Sequence, residues 1–154
     1  ADQAIDDEAG VAALAQHFAD EKRGRYRPYP QSLGLLEDLR RRYRLGLITN
    51  GASSIQRDKL HASGLGHLFH CVLVSGEFGQ GKPAPAIFHE ALRQLDTPPE
   101  QAIMVGNSLP ADVQGAHAAG LSAVWIRTTP APQDAEAPAG ITCINHIGEL
   151  PQVL

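Results

Sequence analysis

The sequence predicts an α/β fold, a mainly parallel sheet with helices on both faces, and three stretches carry that expectation. The first is residues 102–112, where Ala102, Ile103, Met104 and Val105 stop at Gly106 and give way to Asn107, Ser108 and Asp112. Four apolar residues between turn formers describe a strand buried on both faces of a parallel sheet, and the polar cluster falls past its carboxyl end, where open α/β sheets keep their chemistry. In the second, Leu45, Gly46, Leu47 and Ile48 run into Thr49, Asn50 and Gly51, delivering a hydroxyl and an amide at another strand end. The third is Gly79-Gln80-Gly81-Lys82-Pro83, a glycine-flanked lysine just ahead of a helix. Together they supply a hydroxyl, amides, an ammonium and a carboxylate, a set suited to a phosphoryl group and a divalent cation.

Composition narrows the partners. The chain has 154 residues, 43% of them hydrophobic, enough for one core, and a formal net charge of −4. That charge predicts no nucleic-acid partner, and no apolar run approaches the roughly 20 residues that would predict a membrane one. Cys71 and Cys143 both lie in strand-like apolar runs and are expected to be core thiols in a reducing compartment. Residues 1–10 hold four acidic residues and no apolar stretch, so no signal peptide is expected and the cytoplasm is the default.

The elements follow in order. Over residues 7–22, Val11, Leu14, Ala15 and Phe18 recur at three- and four-residue spacing, which predicts an amphipathic helix. Gly24, Pro28 and Pro30 then break it into an extended linker. Ser32 is a candidate N-cap for a helix carrying Leu33, Leu35, Leu36 and Leu39, with Arg40–Arg42 suiting the negative end of its dipole. A strand is expected over 44–48, then a helix capped by Ser53 or Ser54 and ended by Gly64, then a strand over 68–75. Residues 83–95 turn Ile87, Ala91, Leu92 and Leu95 inward as a helix. After the strand at 102–105, a small-residue helix is expected over 112–120, a strand over 122–126, a proline-rich loop over 130–140, a short strand over 141–144 and a terminal turn over 147–154. The seven histidines make no metal-ligand pattern, so His67 and His70 are expected at the surface, and Trp125 in packing.

The motifs resemble those of a known family. Thr49-Asn50-Gly51 after an apolar strand, Gly81-Lys82-Pro83 leading into Ile87 and Phe88, and Val105-Gly106-Asn107-Ser108 with Asp112 look like the second, third and fourth motifs of the haloacid dehalogenase-like (HAD) hydrolases, in the same order and spacing. The resemblance spans about residues 26–126. It implies a HAD-like Rossmannoid three-layer sandwich and a magnesium-dependent phosphatase acting on a small phosphorylated metabolite. In such enzymes a strand-end aspartate attacks the phosphoryl group, forming an aspartyl-phosphate, and a second aspartate two residues on acts as acid and base. By resemblance, Thr49 would hydrogen-bond a phosphoryl oxygen, with Asn50 and Gly51 beside it in the substrate site. Lys82 would neutralise charge on nucleophile and phosphate, while Asn107 and Asp112 would face the metal, Asp112 alternatively orienting Lys82.

Two departures set further expectations. An acidic residue is usual where this chain has Asn107, and an amide oxygen is a weaker ligand for a hard cation. The first motif, Asp-x-Asp after an apolar strand, occurs nowhere in the chain. Its strand belongs between those ending at Thr49 and Gly106, which would otherwise stand about 9.5 Å apart rather than about 4.8 Å. Residues 1–27 are then expected to be the remnant of a helical cap domain and 28–154 a core lacking its first strand. As it stands the chain is expected to be inactive alone, with a missing N-terminal segment, a second chain as in a homodimer, or a rearranged sheet as the ways to account for the empty slot. A non-catalytic, degenerate HAD-like domain working as an interaction module is the alternative expectation.

Overall fold

The computed structural model describes residues 26–127 and 139–154. The helix expected over 7–22, almost all of the cap remnant over 1–27 and most of the loop over 130–140 lie outside the described residues.

Among the described residues five strands form, one at each expected place, and all their pairings are parallel. β1 (Gly46–Thr49) pairs with β2 (Cys71–Val74), with Gly46 opposite Cys71 and Thr49 opposite Val74. β3 (Ile103–Gly106) pairs with β4 (Ser122–Ile126), which pairs on its other edge with β5 (Thr142–Ile144). The two sheets, β1-β2 and β3-β4-β5, share no ladder among the described residues. Between them lies a cavity of about 380 Å³, walled by Gly46 and Ile48 on one side and Ile103 and Val105 on the other.

Alternation along β4 shows how the helices cover the strands. Ala123 and Trp125 point into one core with Cys71 and Leu73 of β2, and Val124 points the opposite way. The first core is closed by α4 (Pro85–Leu95), which buries Ile87, Phe88, Ala91 and Leu92. The second, smaller core joins Val124 and Ile144 to Leu39 of α1 (Ser32–Arg42) and to Leu150 of a 3₁₀ turn over Ile147–Gln152. Helix, sheet, helix is the three-layer Rossmannoid arrangement.

The structure differs from expectation where tertiary hydrogen bonds outweigh local propensity. Neither serine caps α2 (Ser53–Ser63): its cap position is Ala52, because the Ser53 hydroxyl turns to Glu77 instead, while Gly64 ends the helix in the left-handed region as expected. Likewise Gln31, not Ser32, precedes α1, and it makes no side-chain cap. β2 ends at Val74, and Ser75, expected inside the strand, opens a short helix, α3 (Ser75–Phe78). The helix expected over 112–120 begins earlier, as a π-helical turn over Leu109–Gln114 that runs into α5 (Gly115–Ala118). There the Ser108 hydroxyl accepts from the Ala111 N–H and the Asp112 carboxylate accepts from the Ser108 N–H, so the chain winds up before Asp112 is reached.

Candidate active site

The polar groups expected in the site follow the carboxyl ends of the parallel strands. Thr49 closes β1 and is followed by Asn50 and Gly51, Asn107 and Ser108 follow β3, and Lys82 lies in the loop ahead of α4. One chain of hydrogen bonds and an ion pair links Asn50, Lys82, Asp112 and Ser108. The Asn50 amide clasps the Lys82 backbone at both ends, its Nδ2 donating to the Lys82 carbonyl at 2.7 Å and its Oδ1 accepting from the Lys82 N–H at 2.9 Å. The Lys82 ammonium then reaches Asp112, Nζ to Oδ1 2.6 Å, and the second carboxylate oxygen of Asp112 accepts from the Ser108 N–H at 2.9 Å. Lys82 is therefore a staple between the two sheets, its backbone held by the β1 loop and its charge by the β3 loop.

Burial gives this pair its character. Asp112 is 4% exposed and is the one buried charged residue among the described residues; the Lys82 side chain is 11% exposed. A positive charge kept so dry needs an opposite charge to compensate its desolvation, and a poorly hydrated positive charge at strand ends attracts an anion more strongly than a surface lysine does. Glycine makes the approach feasible: a Cβ on Gly106 would overlap the Asp112 carboxyl, and one on Gly81 would lie 2.7 Å from Asn50 Oδ1.

The remaining expected residues take more local parts. Gly51 donates its N–H to the Ser75 hydroxyl at 2.9 Å and accepts from the Gly76 N–H at 3.1 Å, so it contributes shape rather than a free donor. The Thr49 hydroxyl meets Gln56 Oε1 at 3.0 Å. Asn107 is exposed, and its carbonyl accepts from the buried Trp125 indole N–H at 3.1 Å, which fixes the loop after β3. His67 and His70 are both exposed, His70 Nδ1 accepting from the Leu45 N–H.

Magnesium is served poorly by these groups alone. It is usually held through one or two carboxylates plus substrate phosphate, and here both Asp112 oxygens are engaged, leaving the Asn107 amide. Among the described residues no three His, Cys, Asp or Glu side chains come together as a metal site. The residues present do not by themselves fit the ion.

Sequence reasoning passed over Ser75 and Gln56. Ser75 carried a usable signal, since it ends an apolar run ahead of a glycine just as Thr49 nearly does. Gln56 lies one turn into a helix, and only the fold brings it back over the loop.

A parallel Rossmannoid sandwich with hydroxyl, buried ammonium and carboxylate on three successive strand-end loops is the architecture of the HAD-type hydrolases. A family model described as haloacid dehalogenase-like hydrolase matches residues 1–120, and the chain belongs to that family. It is 39% identical to phosphoserine phosphatase of Thermus thermophilus, covering 98% of this chain and 61% of that protein. It is 42% identical to glyceraldehyde 3-phosphate phosphatase of Methanopyrus kandleri, covering 76% of this chain and 51% of the relative. The crystal structure of the HAD-hydrolase YfnB of Bacillus subtilis bound to magnesium superposes with a TM-score of 0.77 at 27% identity, over 93% of this chain and 63% of that one. The chain thus spans roughly half to three fifths of the length of these two curated relatives.

Proposed function

We propose that this chain is the core of a phosphatase acting on a small phosphorylated metabolite, completed by an aspartate-bearing strand between β1 and β3. The observation that carries the reading is the buried Lys82–Asp112 pair stapling two strand-end loops. Phosphatase relatives at about two fifths identity support the reaction class.

The gap between the sheets supports the completing strand. Among the described residues nothing pairs the inner edges of β1 and β3, which face an apolar cavity of about 380 Å³. Fully enclosed, such a void would cost about 9 kcal/mol at about 24 cal/mol per Å³, comparable with a whole domain's stability. Open to solvent it costs less, and a strand would fill it and pair both edges.

In the completed protein a strand-end carboxylate oxygen attacks phosphorus, the bond to the substrate oxygen breaks, and the leaving group takes a proton from a second carboxylic acid. Water then attacks the aspartyl-phosphate, giving its proton back to that carboxylate and releasing phosphate. This chain's own residues supply the surroundings: Lys82 neutralises charge shared by carboxylate and phosphoryl oxygens, and Thr49 donates to a phosphoryl oxygen. Asn50 and Asp112 keep Lys82 in place. Magnesium belongs to this reading only with the incoming carboxylates, Asn107 being the chain's own candidate ligand.

Other expectations stand as part of the proposal. Two free thiols, Cys71 and Cys143, suit the cytoplasm. Neither nucleic acid nor membrane is a proposed partner; no helix among the described residues is long and apolar enough to cross a bilayer. The completing strand comes from a preceding segment or a second chain. The open edges also favour one rival, a non-catalytic module that docks strands.

An assay with p-nitrophenyl phosphate separates them, run on the 154-residue chain and on a version carrying an upstream apolar strand ending in Asp-x-Asp. Activity is expected only in the longer protein, falling about 10²–10³-fold in Lys82→Ala. Activity indifferent to Lys82 would overturn the phosphatase reading, and a silent longer protein would favour the docking module.

A further inference from the structure

Gln56 stands one turn into α2, half-buried, with its side chain folded back over the loop that ends β1. Its Oε1 lies 3.0 Å from the Thr49 hydroxyl oxygen, and the other end of the same amide lies against Gly51. The backbone there has φ 140°, and a Cβ on Gly51 would fall 2.6 Å from Gln56 Nε2. Gly51 is thus bare in a conformation that L residues rarely adopt and where the Gln56 amide needs the space. Among the described residues Nε2 has no acceptor.

We propose that Gln56 is a positioning residue of the anion site, whose amide decides which way the Thr49 proton points; this rests on the phosphatase reading above. A hydroxyl has one proton. With Oε1 toward Thr49, that proton goes to Gln56 and the hydroxyl shows only lone pairs to an incoming anion. Turned over, the amide presents Nε2–H to Thr49 Oγ1 and frees the proton for a phosphoryl oxygen. The terminal torsion of a glutamine is broad and two-fold, so both orientations are accessible, and hydrogen bonds to a charged acceptor are roughly twice as strong as neutral ones. An arriving phosphoryl group therefore selects the donating orientation. Accepting a bond from Nε2 also polarises the Thr49 hydroxyl and strengthens the bond it gives.

Two substitutions separate this from a packing role. Glutamate matches glutamine in shape but has only acceptors when ionised, so Gln56→Glu holds the Thr49 proton away and adds negative charge where the anion binds. Gln56→Met keeps the bulk and removes both polar ends. If Gln56 merely packs α2 onto the loop, the isosteric glutamate is the milder change; if it sets the Thr49 proton, glutamate is the worse one.

The test is titration of the 154-residue chain with inorganic phosphate, followed by ¹H–¹⁵N spectra, with thermal unfolding of each variant as a check on folding. Phosphate binding weakens about three- to tenfold in Gln56→Met, the loss of one net hydrogen bond. It weakens more than tenfold in Gln56→Glu, and is lost in Lys82→Ala. In the unsubstituted chain the Gln56 side-chain NH₂ resonances shift on adding phosphate, a readout that holds even if a variant fails to fold. Binding in Gln56→Glu equal to that in Gln56→Met or better, or an NH₂ signal that does not move while phosphate binds through Lys82, overturns the proposal and leaves the phosphatase reading intact. Absence of Lys82-dependent phosphate binding overturns this proposal, while the phosphatase reading stands or falls with the assay on the longer protein.

Discussion

Lys82 brings a full charge to a place that water hardly reaches, and its fate depends on Asp112 2.6 Å away. Removing one member of such a pair strands the other without hydration or counter-charge, typically at about 3–5 kcal/mol, whereas removing both together costs far less. Asp112→Ala is therefore expected to lower unfolding stability by about 3–5 kcal/mol in urea titrations, and a double variant, Lys82→Met with Asp112→Ala, to recover part of that loss. Additive losses in the cycle would mean that the two charges do not compensate each other. Asp112 also binds the Ser108 N–H, so some cost remains in the double variant. Lys82 was legible in the sequence because Gly81 and Pro83 flank it ahead of a helix, and Asp112 because it belongs to the polar cluster that follows the apolar run ending at Gly106. The Asn50 clasp on Lys82 was not, since it joins residues 32 apart and no local pattern encodes it. Gln56 was hidden for the same reason: seven positions from Thr49, it meets the hydroxyl only because the loop folds α2 back.

At the scale of elements, the strands were legible because burial on both faces leaves an unbroken apolar run. α4 was legible because Ile87, Ala91 and Leu92 repeat at helical spacing. Short α3 had no such signal. It is held by side chains from elsewhere: Glu77 receives both Arg57 Nε at 2.9 Å and Arg57 Nη2 at 2.6 Å, and accepts from the Ser53 hydroxyl as well. This clamp ties α2 to α3 on either side of the Gly51 loop. Hydrogen bonds from Arg57 and Ser53 hold the Glu77 carboxyl down at about 2, against an ordinary value near 4.5. A carboxylate depressed in the folded state adds stability that is complete above its unfolded value and disappears as pH falls toward the folded one. The unfolding midpoint of the unsubstituted chain should therefore exceed that of Glu77→Gln by a constant margin above about pH 5, and the margin should close as pH approaches 2. The side chains are partly exposed, so added salt should narrow it too. A margin that stays flat across this range would show that Glu77 contributes by shape alone. Glu90, held to about 2 by Arg93 and Gln94 on the exposed side of α4, should show the same closing margin without touching the site.

Across the whole molecule, the distribution of backbone pairing sets what is stable and what is open. β4 is paired on both edges and buries Ala123, Val124 and Trp125, so its amides should be among the slowest to exchange with solvent. Among the described residues β1 and β3 are paired on one edge each, and Ile103 is 45% exposed although it belongs to a strand of the core. Lys82 spans the gap only at the carboxyl ends, through Asn50 on one side and Asp112 on the other, so nothing among the described residues pairs the strands along their length. In hydrogen exchange, the alternate amides of Gly46–Thr49 and Ile103–Gly106 that face the cavity should exchange quickly in the 154-residue chain. Their partners facing β2 and β4 should be protected. An upstream apolar strand inserted between β1 and β3 gives each of those amides an acceptor and removes the cavity. Protection there should rise by about a hundredfold, equivalent to about 2.7 kcal/mol of local stability, while β4 and β5 change little. Equal protection on both edges of β1 and β3 before the strand is added would mean that the sheets are already joined in solution, and the site would have to work without a strand between them.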